Sequence, residues 1–206
     1  MNQKQHLQEL TPPMLLAAYG QGLFPMADSR HGNEVRWYCS DPRAVLPLER
    51  FHCPRSLRQR VRSGRFEIRM DSAFEQVVRH CSEPRPGHPE TWINETIVRA
   101  YRRLHAVGHA HSVESWRDGR LVGGLYGVTL GGAFFGESMF SLPESGGTDA
   151  SKVALVHLVE HLRKKGFVLL DAQINSPHLK QFGVIDLPLD RYLEKLSEAL
   201  VVEAAW

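Results

Sequence analysis

A glutamate stands in the middle of an apolar stretch of the sequence. The stretch AFFGESMF, residues 133–140, reads as a β-strand and surrounds Glu137 with three phenylalanines and Met139. A carboxylate is costly to bury unless something pairs with it. We therefore expect Glu137 to meet either an arginine of the same chain or a cationic ligand, such as the amine of an amino acid. With a ligand, the apolar neighbours would form a pocket beside a charge.

A second polar pair ends the apolar run FVLLDAQ, residues 167–173. Asp171 and Gln173 are two positions apart on a predicted strand, so their side chains are expected to share one face. They stand at the C-terminal end of the strand, where open α/β sheets usually form clefts. We interpret the pair either as a polar strand end that binds loop backbone, or as a site in which the acid orients or charges the amide.

Residues 50–69 contain seven arginines and a single acid, Glu67, although the whole chain has a net charge of only +2. If residues 55–65 are helical, four of these arginines share one helix face. This arginine stripe consists of Arg55, Arg58, Arg62 and Arg65. It is either a solvated helix face or a surface for nucleic-acid phosphates, which would offset the repulsion among like charges. Because the patch is small, one strand or an acceptor end fits it better than a long duplex.

No motif in the sequence predicts a metal or a cofactor. His157, Glu160 and His161 form the pattern H-x-x-E-H, but they lie on a predicted amphipathic helix without a third ligand in a neighbouring motif. The chain has no P-loop and no G-x-G-x-x-G. RLVGGL, residues 120–125, fails at the last position of the turn that holds the pyrophosphate of acetyl-CoA. We expect no metal and no cofactor.

Length and composition are those of an ordinary globular protein, with 206 residues of which 42% are hydrophobic and 23% charged. Its three cysteines are widely spaced and form no C-x-x-C, which argues against a disulfide framework. The N-terminus lacks the apolar core of a signal peptide, and no apolar run approaches the roughly 20 residues that span a bilayer. We expect a reduced, cytoplasmic monomer with no membrane partner.

The elements that must position these residues are strands followed by helices. AHSVESW, LVGGLYGVTL and the stretch around Glu137 predict an antiparallel meander, whose first turn contains Asp118–Gly119. A helix capped by Ser151 follows and leads into the strand that carries Asp171, and this order predicts a parallel pairing. Further predicted helices begin at Thr11, at Asp71 or Ser72, and at Asn94.

A meander, a helix and a parallel strand fit an acyltransferase fold of the GNAT type. The predicted fold class is therefore α/β (α+β), with a mixed, mostly antiparallel sheet flanked by helices. Residues 1–60 are predicted to form a small N-terminal domain and residues 61–206 a GNAT-like catalytic domain. Because the CoA turn is missing, such a domain should take its acyl group from another carrier.

Several motifs carry a resemblance to a known family. They are GLFPM, DPRAVLPL, FHCPRSLRQR, TWIN, HAHSVE, LVGGLYG, GESMFS, DASKVALVHLVEHL and LLDAQ, spread from about residue 11 to residue 195. In this order they resemble the leucyl/phenylalanyl-tRNA–protein transferase family. The resemblance implies an enzyme that moves leucine or phenylalanine, and less readily methionine, from aminoacyl-tRNA to the N-terminal arginine or lysine of acceptor proteins. It also implies that the product is marked for N-end-rule degradation.

The resemblance also implies roles for single residues. Asp171 and Gln173 match the family's Asp-x-Gln, implicated in peptide-bond formation, and Glu137 matches a glutamate beside the aminoacyl pocket. Asp171 is expected to polarise Gln173 or to hold the acceptor's amine, which Gln173 would aim at the ester. Other substrate-binding positions are Phe134, Leu125 and Met139 in the pocket, Trp92 near the terminal adenosine, and Met26 where some members have tryptophan. Two alternatives stay open: an N-acyltransferase with another activated donor, and a tRNA-end-binding module without catalysis.

Overall fold

The structure of the protein is a computed structural model that describes residues 10–32, 34–84 and 91–206. The prediction that the chain begins without a signal peptide falls almost entirely on residues 1–9, which lie outside these ranges. Within the described ranges, no helix is both long and apolar enough to cross a bilayer.

The first elements are short and begin with a capped helix. Thr11 accepts a hydrogen bond of 3.4 Å from the backbone N–H of Met14, and two prolines open the first turn of α1 (Pro12–Tyr19). This helix start was predicted correctly. Strands β1 (Phe24–Ala27) and β2 (Val35–Tyr38) then form an antiparallel sheet of two strands.

A seven-stranded sheet forms the centre of the molecule. Its strands are β3 (Arg43–Val45), β4 (Glu67–Met70), β5 (Ala110–Arg117), β6 (Arg120–Leu130), β7 (Ala133–Ser141), β8 (Leu169–Gln173) and β9 (Ile185–Leu187). They lie in the order β4-β5-β6-β7-β8-β3-β9. Among these described strands only β7 and β8 pair in parallel. The predicted meander, β5-β6-β7, and the predicted parallel pairing are both confirmed.

Helices cover both faces of this sheet. They are α2 (Arg55–Arg62), α3 (Phe74–Cys81), α4 (Glu95–Ala106), α5 (Ala150–Lys164), α6 (Pro177–Lys180) and α7 (Leu189–Leu200). One core joins the sheet to α1, α3, α4 and α7, and the other joins it to α2 and α5. Neighbouring strand residues serve opposite cores, as Leu125 and Tyr126 of β6 do, because side chains alternate along a strand.

Of two further predicted helix starts, one follows the local capping rule and the other does not. The side chain of Asn94 accepts the N–H of Ile97 over 3.0 Å, so the predicted start of α4 is confirmed. The predicted cap at Ser151 was wrong, since α5 begins at Ala150 after Asp149. Ser151 instead forms a hydroxyl contact of 2.9 Å with Ser141 of β7. The hydroxyl of Ser151 therefore contacts the sheet and does not cap the helix.

The predicted cap of α3 was also wrong. Neither Asp71 nor Ser72 caps this helix; instead the N–H of Ala73 donates to Glu114 of β5 over 2.7 Å. Asp71 contacts His111 over 2.8 Å, and Ser72 donates to Glu114. The capping carboxylate therefore comes from a distant strand, which no local pattern reveals.

The predicted fold class, a mixed and mostly antiparallel sheet flanked by helices, is confirmed, including the strand–helix–strand order behind the GNAT-type prediction. The boundary at residue 60 stays a prediction. Strands β1 and β2 form a sheet of their own, whereas β3 pairs with β8 and β9 in the large sheet. The first sixty residues thus contribute to both sheets.

Candidate active site

A β-bulge in β7 places Glu137. Tyr126 of β6 pairs with Ser138 of β7. The next residue along β6, Gly127, pairs with Gly136, so the residue between them on β7 has no partner on β6. An extra residue of this kind bends the strand and re-aims its side chain. The carboxylate of Glu137 consequently reaches the face of the sheet that carries α1 and α4.

Three donors surround that carboxylate. Tyr19 of α1 donates to Oε1 over 2.7 Å, Tyr101 of α4 donates to Oε2 over 2.8 Å, and the amide of Gln173 donates to Oε1 over 2.7 Å. The two tyrosine hydroxyls also contact each other. Among the described residues no lysine or arginine forms an ion pair with Glu137, so an arginine partner from the chain, one of the two expectations, is not found there. One acceptor position of Oε2 is left for a ligand.

The surroundings of Glu137 raise the pKa of its carboxyl group toward neutral pH. Burial raises the pKa of Glu137 to about 7, although hydrogen bonds from Tyr19 and Tyr101 act in the opposite direction. The charge of Asp171 raises this pKa further and the bond from Gln173 lowers it. Burial, followed by the charge of Glu137, raises the pKa values of both tyrosines well above 10.0. The tyrosines therefore stay protonated donors while Glu137 titrates.

Gln173 is held at three points. Its backbone N–H donates to Oδ1 of Asp171 over 2.8 Å, its carbonyl accepts from the hydroxyl of Ser40 over 2.8 Å, and Nε2 donates to Glu137. An ionised carboxylate can only accept, so the NH₂ end of the amide must face Glu137. The amide oxygen of Gln173 is then free to accept a hydrogen bond from a ligand.

Asp171 is fully buried and its oxygens are occupied. Arg43 donates through Nε and through a terminal nitrogen, at 2.9 and 2.7 Å, and Tyr192 donates its hydroxyl over 2.7 Å. With the N–H of Gln173, four donors meet two oxygens. The carboxylate that contacts the Gln173 side chain is therefore that of Glu137, whereas Asp171 contacts only the Gln173 backbone. The expected contact between Asp171 and the side-chain amide of Gln173 is therefore not found.

A cavity of about 920 Å³ opens beside these groups. Its wall is mainly aliphatic next to the polar cluster. The aliphatic lining includes Leu46, Leu125, Met139, Leu155, Leu158, Leu170, Ile174 and Leu179. Phe24, Met26 and Trp92 line the cavity too, and so do Glu137, Asp171 and Gln173. The two motifs around Glu137 and Gln173, 36 positions apart, thus meet at one cavity.

One predicted lining residue does not reach the cavity. Phe134 is fully buried in the core under α5 and is not part of the cavity wall. Its ring stacks on Trp206, the last residue, with the centroids 5.6 Å apart. The expected role for Phe134 as a lining residue is thus corrected to a place in the core, beside the lining residues Leu125 and Leu170.

The arginine stripe is shorter than expected. Arg55, Arg58 and Arg62 are exposed on α2, but the helix ends at Arg62. Gly64 has φ +62, which turns the chain away before Arg65. Arg65 is half-buried and donates to the carbonyl of Gly146 over 3.1 Å, so it does not belong to the stripe. A smaller cavity of about 340 Å³ lies between α2 and α5, where Arg163 joins Arg58 and Arg62.

The histidine motif on α5 is divided between two surroundings. His157 lies 3.7 Å from Glu160, and the ring of His161 packs on Trp206 with the centroids 4.4 Å apart. Within the described ranges, no group of three or more His, Cys, Asp and Glu side chains is arranged to hold a metal ion.

Sequence reasoning missed the residues that hold the polar cluster together. They are Tyr19, Ser40, Arg43, Tyr101 and Tyr192. The three tyrosines lie on the apolar sides of helices, where an aromatic residue is expected to be core. A buried arginine in a three-residue strand has no local signal either. These side chains reach Glu137 and Asp171 only because elements that are distant in the sequence pack together in the fold.

Comparison with known proteins gives matches along almost the whole chain. Residues 45–197 match the family model described as leucyl/phenylalanyl-tRNA protein transferase, and residues 8–41 match the N-terminal domain of that family. A leucyl/phenylalanyl-tRNA–protein transferase of Paramagnetospirillum magneticum is 54% identical to this chain over 200 residues, which cover 97% of this chain and 93% of that protein.

Similar solved structures include a ribosomal-protein-alanine N-acetyltransferase from Brucella melitensis biovar Abortus, with 14% identity and a TM-score of 0.39, covering 68% of this chain and 94% of that one. They also include L-PGS from Bacillus licheniformis, with 12% identity and a TM-score of 0.42, covering 76% of this chain and 56% of that one.

Proposed function

The chain belongs to the leucyl/phenylalanyl-tRNA protein transferase family, and on this premise we propose that it transfers leucine or phenylalanine from aminoacyl-tRNA to the N-terminal arginine or lysine of acceptor proteins. The enzyme is thus an aminoacyltransferase. Methionine would be a poorer donor, and the new N-terminal residue would mark the acceptor for degradation, as the family resemblance implies.

One observation carries the proposal: the mainly aliphatic cavity is also lined by Glu137 and Gln173, whose side chains contact each other. An aliphatic wall of leucines and Met139 suits the side chain of a leucyl or phenylalanyl donor. Gln173, whose amide oxygen can accept a hydrogen bond, lines the same cavity. A donor seated in this way would present its ester carbonyl beside the free acceptor oxygen of Gln173.

The reaction is aminolysis of an ester. The α-amine of the acceptor attacks the carbonyl carbon, the bond to the ribose oxygen breaks, and the proton lost by the amine finally reaches that oxygen. Forming an amide from an ester is downhill and needs no ATP. In our proposal the amide oxygen of Gln173 accepts a hydrogen bond from the attacking amine and aims its lone pair at the carbonyl, so that the rate enhancement comes from positioning.

Glu137 has two roles in this proposal. It holds the NH₂ end of Gln173, and its remaining acceptor position can bind the ammonium of one reacting partner. A half-buried carboxylate without a cation from the described chain is well suited to this task. Asp171, whose oxygens already accept from four donors, is not proposed as a base.

The remaining contacts concern the carrier. Trp92 and Met26 line the part of the cavity where we place the terminal adenosine, with the indole of Trp92 as its stacking surface. Arg55, Arg58 and Arg62 would bind phosphates of the acceptor end, which offsets the repulsion among their exposed charges. Arg65 is left out, because its guanidinium binds the backbone of Gly146.

A single assay tests the proposal. The protein is incubated with radiolabelled leucyl-tRNA and a peptide that begins with arginine, without ATP or CoA. We expect label in the peptide and free tRNA as the second product. Tight binding of leucyl-tRNA without transfer would favour a tRNA-end-binding module. Transfer only from a different activated ester or thioester would favour another N-acyltransferase.

A further inference from the structure

We propose that Arg43, Tyr192 and Ser40 are positioning residues, which hold the backbone of Gln173 in the one conformation that presents its amide to the cavity. Together with Asp171 they form what we call the Gln173 clamp. The inference rests on the proposed function, because the amide of Gln173 is the group that the clamp positions.

The backbone of Gln173 is in a conformation that its own side chain does not favour. Its φ is +59, in the left-handed region. The other non-glycine residues with positive φ in the described ranges are Asp71, Asp118 and Asp149. Aspartate tolerates this region because its short side chain can bond locally, but glutamine has no such help. Surrounding contacts must therefore impose this conformation on Gln173.

The first half of the clamp acts on the N–H of Gln173. Asp171 accepts this N–H over 2.8 Å, and Asp171 is itself immobilised. Arg43, with no exposed surface, makes a two-point contact with the carboxylate and donates a third bond to the carbonyl of Gly22 over 2.9 Å. Tyr192 donates to the second oxygen of Asp171 over 2.7 Å. The carboxylate consequently has no freedom to turn away from Gln173.

Aromatic rings enclose the guanidinium of Arg43. Its central carbon lies 4.8 Å from the ring centre of Phe24 and 4.6 Å from that of Tyr192. The pKa of Arg43 is raised, since the bonds and charge of Asp171 outweigh the opposing effect of burial. Tyr192 thus holds the pair in two ways, through its hydroxyl on Asp171 and its ring on Arg43.

The second half of the clamp acts on the carbonyl of Gln173. The hydroxyl of Ser40 donates to this carbonyl over 2.8 Å. Ser40 and Arg43 belong to one short segment, and β3, which begins at Arg43, pairs Ala44 with Gln173. This segment, whose sequence shows no catalytic motif, therefore holds both peptide groups that flank the side chain of Gln173. Because the backbone is fixed on either side, the direction in which the side chain leaves it is fixed too.

The test uses two conservative variants, Tyr192→Phe and Ser40→Ala, each of which removes one hydroxyl and leaves the buried ion pair intact. Transfer of leucine from leucyl-tRNA to the arginine peptide is measured in full steady-state form, together with thermal unfolding. We expect each variant to lower kcat by roughly tenfold or more, with KM for leucyl-tRNA within about twofold. Ser197→Ala is the matched control, since its hydroxyl also donates to a backbone carbonyl, that of Glu194 over 2.7 Å, but on the exposed side of α7.

A second background separates positioning from general stability. In Gln173→Ala, the same two substitutions should change kcat by less than about twofold, because the group they position has been removed. The proposal is overturned if either variant retains wild-type kcat, if the loss is equally large in the Gln173→Ala background, or if the folded fraction at the assay temperature accounts for it.

A measurement without the reaction keeps the proposal testable on its own. Hydrogen exchange of the Gln173 N–H, followed by NMR, should accelerate in Tyr192→Phe while the N–H of Leu170, on the same strand, keeps its protection. Unchanged exchange at Gln173, or equal acceleration at both positions, would refute the clamp. If Tyr192→Phe shows the expected change in exchange but the wild-type protein transfers no leucine, the proposed function is refuted and the clamp is not.

Discussion

The Nε2 atom of Gln173 donates a hydrogen bond of 2.7 Å to Oε1 of Glu137. The donor stands at the end of β8 and the acceptor in the bulge of β7, so the contact joins two neighbouring strands. It also decides which end of the amide faces the cavity, because an ionised carboxylate accepts and never donates. The predictions below follow from this contact, the cavity beside it and the charges on α2.

Removing the amide should slow the reaction without weakening donor binding. For Gln173→Ala we expect kcat to fall by about 100-fold, since the attacking amine loses the hydrogen-bond acceptor that orients it. The Kd for leucyl-tRNA should change by less than about twofold. Single-turnover transfer and equilibrium binding measure the two quantities. Gln76→Ala, an exposed position on α3, serves as the control. Wild-type turnover of the Gln173 variant would show that the polar end of β8 binds only loop backbone.

Transfer should depend on the ionisation of Glu137, whose pKa lies at about 7. When Glu137 is protonated it can donate to the amide oxygen of Gln173, which turns the NH₂ end toward the amine. The acceptor's α-amine, with an ordinary pKa of about 8, must also lose a proton. Below both values, log kcat/KM of the wild type should rise with a slope near 2 per pH unit, and that of Glu137→Gln with a slope near 1. Parallel profiles would exclude Glu137 from this role.

The same carboxyl should make folding stability fall as pH rises. Its folded pKa of about 7 lies above the ordinary 4.5, so the folded state binds the proton more tightly than the unfolded chain. The resulting stabilisation is fully present below about 4.5 and is lost as pH rises through about 7, by up to about 3 kcal/mol. Urea unfolding at pH 5 and pH 8 should therefore show wild type losing stability relative to Glu137→Gln. A constant difference between the two proteins would contradict the raised pKa.

Donor choice should follow the shape and polarity of the cavity. An aliphatic wall rejects a β-branched side chain only by fit, and one misplaced methyl group is worth roughly 1–3 kcal/mol. We expect leucyl and phenylalanyl donors to exceed valyl donors clearly but not absolutely, and aspartyl donors to be rejected further. Aminoacyl-adenosines hold the carrier constant, so kcat/KM for this series isolates the side chain. Equal values for leucyl- and aspartyl-adenosine would rule out an apolar donor pocket.

The stripe on α2 should bind phosphates without regard to base sequence. The variant Arg58→Gln/Arg62→Gln should weaken leucyl-tRNA and phenylalanyl-tRNA by similar factors and flatten the slope of log K against log salt by about 2. Transfer from leucyl-adenosine, which lacks phosphates, should hardly change. Arg191→Gln is the control, because that arginine is also exposed but is paired with Glu194 on α7. An unaltered salt slope in the folded double variant would mean that the stripe is only solvated.

Local sequence patterns determined most of the architecture. Three strand-like stretches and the Asp118–Gly119 turn predicted the meander, an amphipathic run predicted α5, and the parallel strand followed from their order. The same patterns selected Glu137, Asp171 and Gln173, because a polar residue in an apolar strand is unusual wherever it occurs. Each of these predictions depends on residues within one or two elements, where periodicity and capping have direct physical consequences.

Only the tertiary structure decided which groups meet. Tyr19 reaches Glu137 across 118 positions and Arg43 reaches Asp171 across 128, and no local pattern encodes either contact. The bulge that re-aims Glu137 depends on pairing with β6, and the left-handed backbone of Gln173 depends on a clamp from another segment. A carboxylate buried in a strand must find donors, but the packing of helices and strands around it chooses them. The sequence by itself therefore determined which polar residues interrupt the apolar strands, and the fold decided which side chains contact one another and in which direction they point.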